Sequence, residues 1–145
     1  MDKTTSTIET KKCVLIIDST QPSGIIANAA SVLSISLGRL AGNIVGPDVY
    51  DREGEKHLGI TQIPIPILGC LPEKIKEIRR HLMSLSTEDI LMVDFSDVAQ
   101  KAKTYQDYET ALVATAEIDI RYIGIGVYGD KKSINKATGN LSLIR

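Results

Sequence analysis

What most constrains this chain is a change of character near its beginning. Residues Lys12 to Asp18 read KCVLIID, an unbroken run of mostly branched apolar residues of strand length, and the stretch from Ser19 to Pro47 then holds a single charged residue, Arg39. A run with no polar alternation predicts a strand covered on both faces, hence one near the middle of its sheet. Pro22 and Ser23 open a helix that runs to about Leu40, since proline fits a first turn where its missing N–H is not needed. Gly38 and Gly42 help to end it. Ile25, Ile26, Ala29, Val32, Leu33, Ile35 and Leu37 spread round much of this helix, and Asn28, Ser31 and Ser34 form a narrow polar stripe. A surface helix normally shows a charged face. None is present, so the second side is expected to be covered too, by a second subunit or by the chain's own loops. Serines, glycines and Asn28 interrupt the stretch well short of the roughly 20 consecutive apolar residues of a membrane span. A buried helix and no membrane association are expected.

Further along, Val49–Asp51 and Lys56–Leu58 flank Arg52-Glu53-Gly54-Glu55, which predicts a hairpin with Asp51 opposite Lys56 and Tyr50 opposite His57. The run Gln62 to Leu68 (QIPIPIL) carries prolines two apart, which blanks one edge and predicts an edge strand or a segment leaving the sheet. Pro72 starts a helix to about Ser84 with Ile75, Ile78 and Leu82 inward. Ile90 to Phe95 reads as a further buried strand, Ser96 to Ala116 as a helical region broken near Thr104 or Tyr105, and Arg121 to Tyr128 (RYIGIGVY) as a strand whose glycines invite close packing. Lys131 to Ala137 is a short helix, and Leu141 to Ile144 a final extended piece. Strands interleaved with helices predict an α/β fold on a mixed sheet of four to five strands. One domain over 12–145 with a frayed tail over 1–11 accommodates the 145 residues.

Composition narrows the function classes. A formal charge of -1 gives no chain-wide attraction to phosphate backbones, so RNA is not an expected partner and any contact would be local. Cys13 and Cys70 stand in apolar contexts and read as reduced buried thiols, consistent with a cytoplasmic protein. With no Trp and 4% aromatic residues, the core must be aliphatic.

Three strings, QPSGIIANAA, GPDVYDREGEKHLGITQIPIPIL and IGIGVYGDKKSINKATGNLSLIR, occur in an order that resembles the bacterial domain-of-unknown-function 2000 family from about Lys12 to the C-terminus. That family resembles a branch of the type II peptidyl-tRNA hydrolase superfamily. The resemblance implies a three-layer α/β/α arrangement around a mixed sheet, ending in a Gly-rich strand, a short helix and KATGNLSLI. Those hydrolases keep a lysine in the opening of the first helix and a later Asp-Ala-Gly-Arg-Thr run. Here Gly24 is followed by Ile25, Ile26 and Ala27, and Asp94 by Phe95 and Ser96. The resemblance therefore implies the fold without the catalytic motifs, and only Asp94 stands where the acidic residue would.

Three features have the chemistry of a site. The strand-to-helix junction, with Asp18, Ser23, Gly24 and Asn28, offers free N–H groups at the positive end of a helix and is the expected place for a small anionic or peptide-like ligand. Its bland alternative is a capped turn. Asp51 and His57 in the hairpin, with Asp48 nearby, and Asp94 after its strand, are the acid-base candidates for an ester or amide hydrolase, including one acting on peptidyl-tRNA. Lys74, Lys76, Arg79 and Arg80 make a basic helix face, which ordinarily is simply solvated. No metal-ligand spacing and no phosphate loop occur, so neither a metal nor a cofactor is expected. The expected function is a small-ligand-binding domain, homodimeric through its uncharged helix. A hydrolase, or a module that only associates with itself, is the alternative.

Overall fold

Strand β1 (Lys11–Asp18) has six of its eight residues buried, and it lies inside a five-stranded sheet. The computed structural model describes residues 10–85 and 89–145, so most of the expected tail falls outside the described residues, while Lys11 already pairs with Asp130 in the sheet. The chain continues through α1 (Ser23–Ala41), a two-stranded arm of β2 (Val49–Tyr50) and β3 (Lys56–His57), β4 (Ile67–Cys70), α2 (Pro72–Ser84) and β5 (Ile90–Ser96). It ends with α3 (Asp97–Lys101), α4 (Tyr105–Val113), a 3-10 turn (Glu117–Asp119), β6 (Tyr122–Asp130), α5 (Lys131–Thr138) and β7 (Ser142–Leu143). The strand order is β5-β6-β1-β4-β7, with β1 and β4 parallel and the other neighbours antiparallel, so the sheet is mixed.

The period-two alternation of β1 sends its side chains into two cores. Cys13, Leu15 and Ile17 meet Ala29, Leu33 and Leu37 of α1; Val14 and Ile16 face the opposite core with Ile75, Ile78 and Leu82 of α2 and Ile134 of α5. The sheet is thus sandwiched between helix layers, and each fully buried Leu or Ile adds about 1.5–3 kcal/mol by leaving water. The glycines of β6 allow α1 to sit close: a Cβ on Gly126 would fall 2.8 Å from Leu37 Cδ1 and 3.2 Å from Leu15 Cδ2. By length and composition α1 could cross a membrane, yet Ala29, Leu33 and Leu37 are seated in the core.

Four expectations change. The outward face of α1 is open, with Ile35 76% exposed, so none of the described loops covers it. The arm pairs Val49 with His57 and Tyr50 with Lys56, one residue off the expected register. The loop is three residues rather than four because Gly54 takes the left-handed conformation (φ 85°) and brings Asp51 opposite Glu55. The proline run stays outside the sheet up to Pro66, whose carbonyl accepts from Leu15 N–H, and β4 proper is interior, with β7 on its far side. Finally, β5 is an edge strand, half-buried except at Phe95 and Ser96.

Candidate functional site

The carboxyl ends of β1, β4 and β5 and the amino end of β6 meet at one end of the sheet. There Asp18 is fully buried. Its Oδ1 accepts from Thr20 N–H (2.9 Å) and Thr20 Oγ1–H (2.6 Å), its Oδ2 from Gln21 Nε2–H (3.1 Å), and the Arg121 guanidinium lies 3.7 Å away. Burial alone pushes this carboxyl up. The hydrogen bonds from Thr20, then Gln21, then the Arg121 charge outweigh it and hold the group below its usual range. Asp18 is therefore the organiser of the β1–α1 turn.

Pro22 occupies the cap position of α1 without a side-chain cap, and its carbonyl takes the N–H groups of Ile25 and Ile26. Ser23, Gly24 and Asn28 are exposed, on the outside of the helix start. Asp18 thus points inward while the other three expected ligand residues face out, and none of the four lines the cavities described below.

The acid-base candidates also separate. Asp51 and His57 are together, Oδ2 to Nε2 at 2.8 Å, on the exposed arm. Asp51 Oδ1 accepts from the N–H groups of Glu53 and Glu55, both at 3.0 Å, and Asp48 accepts from Gly59 N–H. The His57 bond, then that of Glu55, holds the Asp51 carboxyl below its ordinary value. Asp94 is on β5, 3.5 Å from Arg79 Nε. Arg79 also stacks 4.9 Å over the Tyr122 ring, and burial pushes the Tyr122 phenol up to about 12.

The basic helix face is engaged rather than simply solvated. Lys76 Nζ donates to the carbonyls of Ile118 (2.8 Å) and Ile120 (3.0 Å), and Arg80 pairs with Glu117 at 3.3 Å. These contacts clamp the 3-10 turn onto α2. Burial pushes the thiols of Cys13 and Cys70 up to about 11, so neither is an activated nucleophile. Among the described residues no group of three His, Cys, Asp or Glu side chains could hold a metal ion.

The sequence reading missed a cleft. Val32 and Ser36 of α1, Val93, Asp94 and Phe95 of β5, and Lys103, Thr104, Tyr105 and Tyr108 around the start of α4 enclose about 390 Å³. Tyr105 and Tyr108 meet edge to face, with centroids 5.6 Å apart at 78°. Burial first, then the Asp94 charge, raises the Tyr108 phenol above its usual value. A second cavity of about 530 Å³ lies across the Ala102–Lys103 connection, with Asp97, Asp107 and Asp119 in its wall. The available signal was the pair Tyr105 and Tyr108, three apart on a helix in a chain with five Tyr and one Phe.

A solved structure of a protein of unknown function, Atu0240, from Agrobacterium tumefaciens strain C58 is similar in fold. Its TM-score is 0.83 at 15% identity, over 92% of this chain and 97% of that one. No curated protein matches the chain. The family model described as protein of unknown function (DUF2000) matches residues 11–145, and the chain belongs to that family.

Proposed function

We propose that this domain binds a small anionic organic ligand in the cleft between α1 and α4, and that it does so without catalysis. The observation that carries the reading is the lining of the cleft. Phe95, Tyr105 and Tyr108 give aromatic walls, Ser36 and Thr104 give hydroxyls, the Asp94 carboxylate on the same wall is paired with Arg79, and Lys103 gives a cation that no hydrogen bond or ion pair engages among the described residues. A volume near 390 Å³ falls in the range of small-molecule sites, which combine apolar walls with a few converging polar groups. The binding place thus moves from the Ser23–Asn28 turn to the far flank of the same helix, while the ligand class stays anionic.

Kinship with the type II peptidyl-tRNA hydrolases belongs to this reading as a relation of fold. Helix layers on both faces of a mixed sheet and the ending through β6, α5 and β7 support it, and Ile25, Ile26 and Ala27 stand where those enzymes keep their lysine. The hydrolase alternative has the Asp51–His57 pair in its favour. That pair sits on an exposed turn, and Asp94 is already matched to Arg79, so the three do not make one acid-base site.

Ligand-observed NMR with a panel of small aromatic carboxylates and uncharged analogues tests the reading. Carboxylates are expected to bind, with affinity falling at least tenfold in Tyr108→Ala and Lys103→Ala. Binding that survives both substitutions, or a panel that is silent throughout, would overturn it.

A further inference from the structure

Opposite the core side of α1, Gly24, Asn28, Ser31, Ile35 and Gly38 follow one another at spacings of four and three and so share one face, on which small residues flank the single large apolar side chain of Ile35. No part of the described chain covers Ile35 or its exposed neighbours. Just beyond, the chain enters the arm at Ile44 and leaves it at Ile63, both buried in the same core cluster as Leu33 and Leu37. Between them, residues 47–58 are exposed throughout. The arm is nonetheless well made: Gly46 N–H donates to the Ile60 carbonyl at 2.8 Å, Gln62 N–H to that of Ile44 at 2.7 Å, and Gly46 and Gly59 approach too closely for any Cβ on Gly59. A two-stranded ribbon alone in water is marginal. This one also holds Val45, Val49, Tyr50, Leu58 and Ile60 more than half exposed.

We infer that this face of α1 and the arm together form the interface of a two-fold homodimer, with the α1 helices antiparallel about Ser31 and each arm lying along the amino-terminal half of the partner's α1. Apolar exposure supports a second copy: Ile35 of α1 and Val45, Tyr50, Leu58 and Ile60 of the arm are more than half exposed, an unusual concentration of large apolar side chains for a surface with no partner. Charge supports it as well. Along α1 only Arg39 is charged, so no like charges meet across the axis. The arm carries Asp48, Asp51, Glu53 and Glu55 against Arg52 and Lys56, while the first turn of α1 has no acidic residue and no side-chain cap.

Connectivity gives the direction. The arm is rooted just after the carboxyl end of α1, and a helix of 19 residues is about 28 Å long, so its own amino end is distant. An antiparallel partner brings its amino end to the root of the arm. Two-fold symmetry about Ser31 also sets Ile35 against Ala27 and Asn28 of the second copy, small residues that leave room for it.

Sedimentation equilibrium of the full chain is expected to show a dimer at micromolar concentration. Ile35→Glu should weaken it about 100-fold or more, and Leu58→Glu about tenfold, with unchanged circular dichroism because both positions are exposed in the single chain. Ser31→Cys should give a disulfide-linked dimer on mild oxidation, since the axis places the residue opposite its own copy. A chain that stays monomeric, a dimer indifferent to both glutamates, or a dimer that Ser31→Cys fails to cross-link would overturn the inference. So would a monomer that instead binds lipid vesicles through α1.

Discussion

Asp18 and Asp51 each fold a turn by gathering three hydrogen bonds from the residues that follow, one with its carboxylate buried at the end of the sheet and the other on an exposed arm. The Asp18 oxygens take Thr20 twice and Gln21 once; the Asp51 oxygens take Glu53, Glu55 and His57. The number of bonds is the same. What differs is the solvent that would replace them, and a buried carboxylate that loses its partners is left with a desolvation cost that an exposed one never meets. Equal hydrogen-bond counts therefore do not mean equal contributions to stability.

The largest effect should come from Asp18→Ala, which removes the buried hub of the turn and costs about 3 kcal/mol, or a fall in Tm of about 9 °C for a domain of this size. A loss too small to resolve by calorimetry would break the comparison. Acid should narrow the gap between that variant and the wild type. The folded-state pKa of Asp18 lies below its unfolded value near 3.9, so its stabilisation is complete above that value and is lost as the pH falls through the folded pKa. Urea midpoints of the two chains, measured from neutrality downward, should converge below about pH 4, and a gap that widens there would reverse the sign.

Arg121→Ala should cost less, under about 1 kcal/mol, because the guanidinium is largely exposed and 3.7 Å from the carboxylate, so solvent screens the pair. The smallest effect is expected from Asp51→Asn. In the Ile35→Glu background, where the arm faces no partner, its thermal unfolding should overlay that of the parent chain, while amide shifts of Glu53 and Glu55 move in NMR spectra. A clear drop in Tm would mean that the arm contributes to the body of the fold more than its exposure implies.

The elements that could be read from sequence are those whose signals are local. Pro72 and the Ile75, Ile78, Leu82 spacing gave both ends of α2, because a proline in the first turn and a 3.6-residue period need no knowledge of neighbours. The arm was legible as a hairpin, but its register was not, since that depended on Gly54 alone adopting a left-handed backbone. An apolar run such as Ile90 to Phe95 reads the same at an edge as in the middle, so β5 was misplaced. Of the candidate site, Asp51 with His57 was recoverable because a tight turn joins them. The cleft was not, because Phe95 and Tyr108 come to line one cavity only after β5, α1 and α4 have been brought together. Lys76 gave no warning either, as the carbonyls it grips lie more than 40 residues away in sequence.

The central position of β1 has a consequence for how the molecule is made. Its parallel neighbour begins at Ile67, and the partners on its other side are Gly124 to Asp130. A ribosome releasing this chain from its first residue therefore exposes CVLII long before either flank exists. A nascent segment that is apolar, β-branched and free of proline is prone to pair with strangers in that interval. The yield of soluble protein should accordingly depend on elongation speed and on holding chaperones more than on the stability of the finished domain.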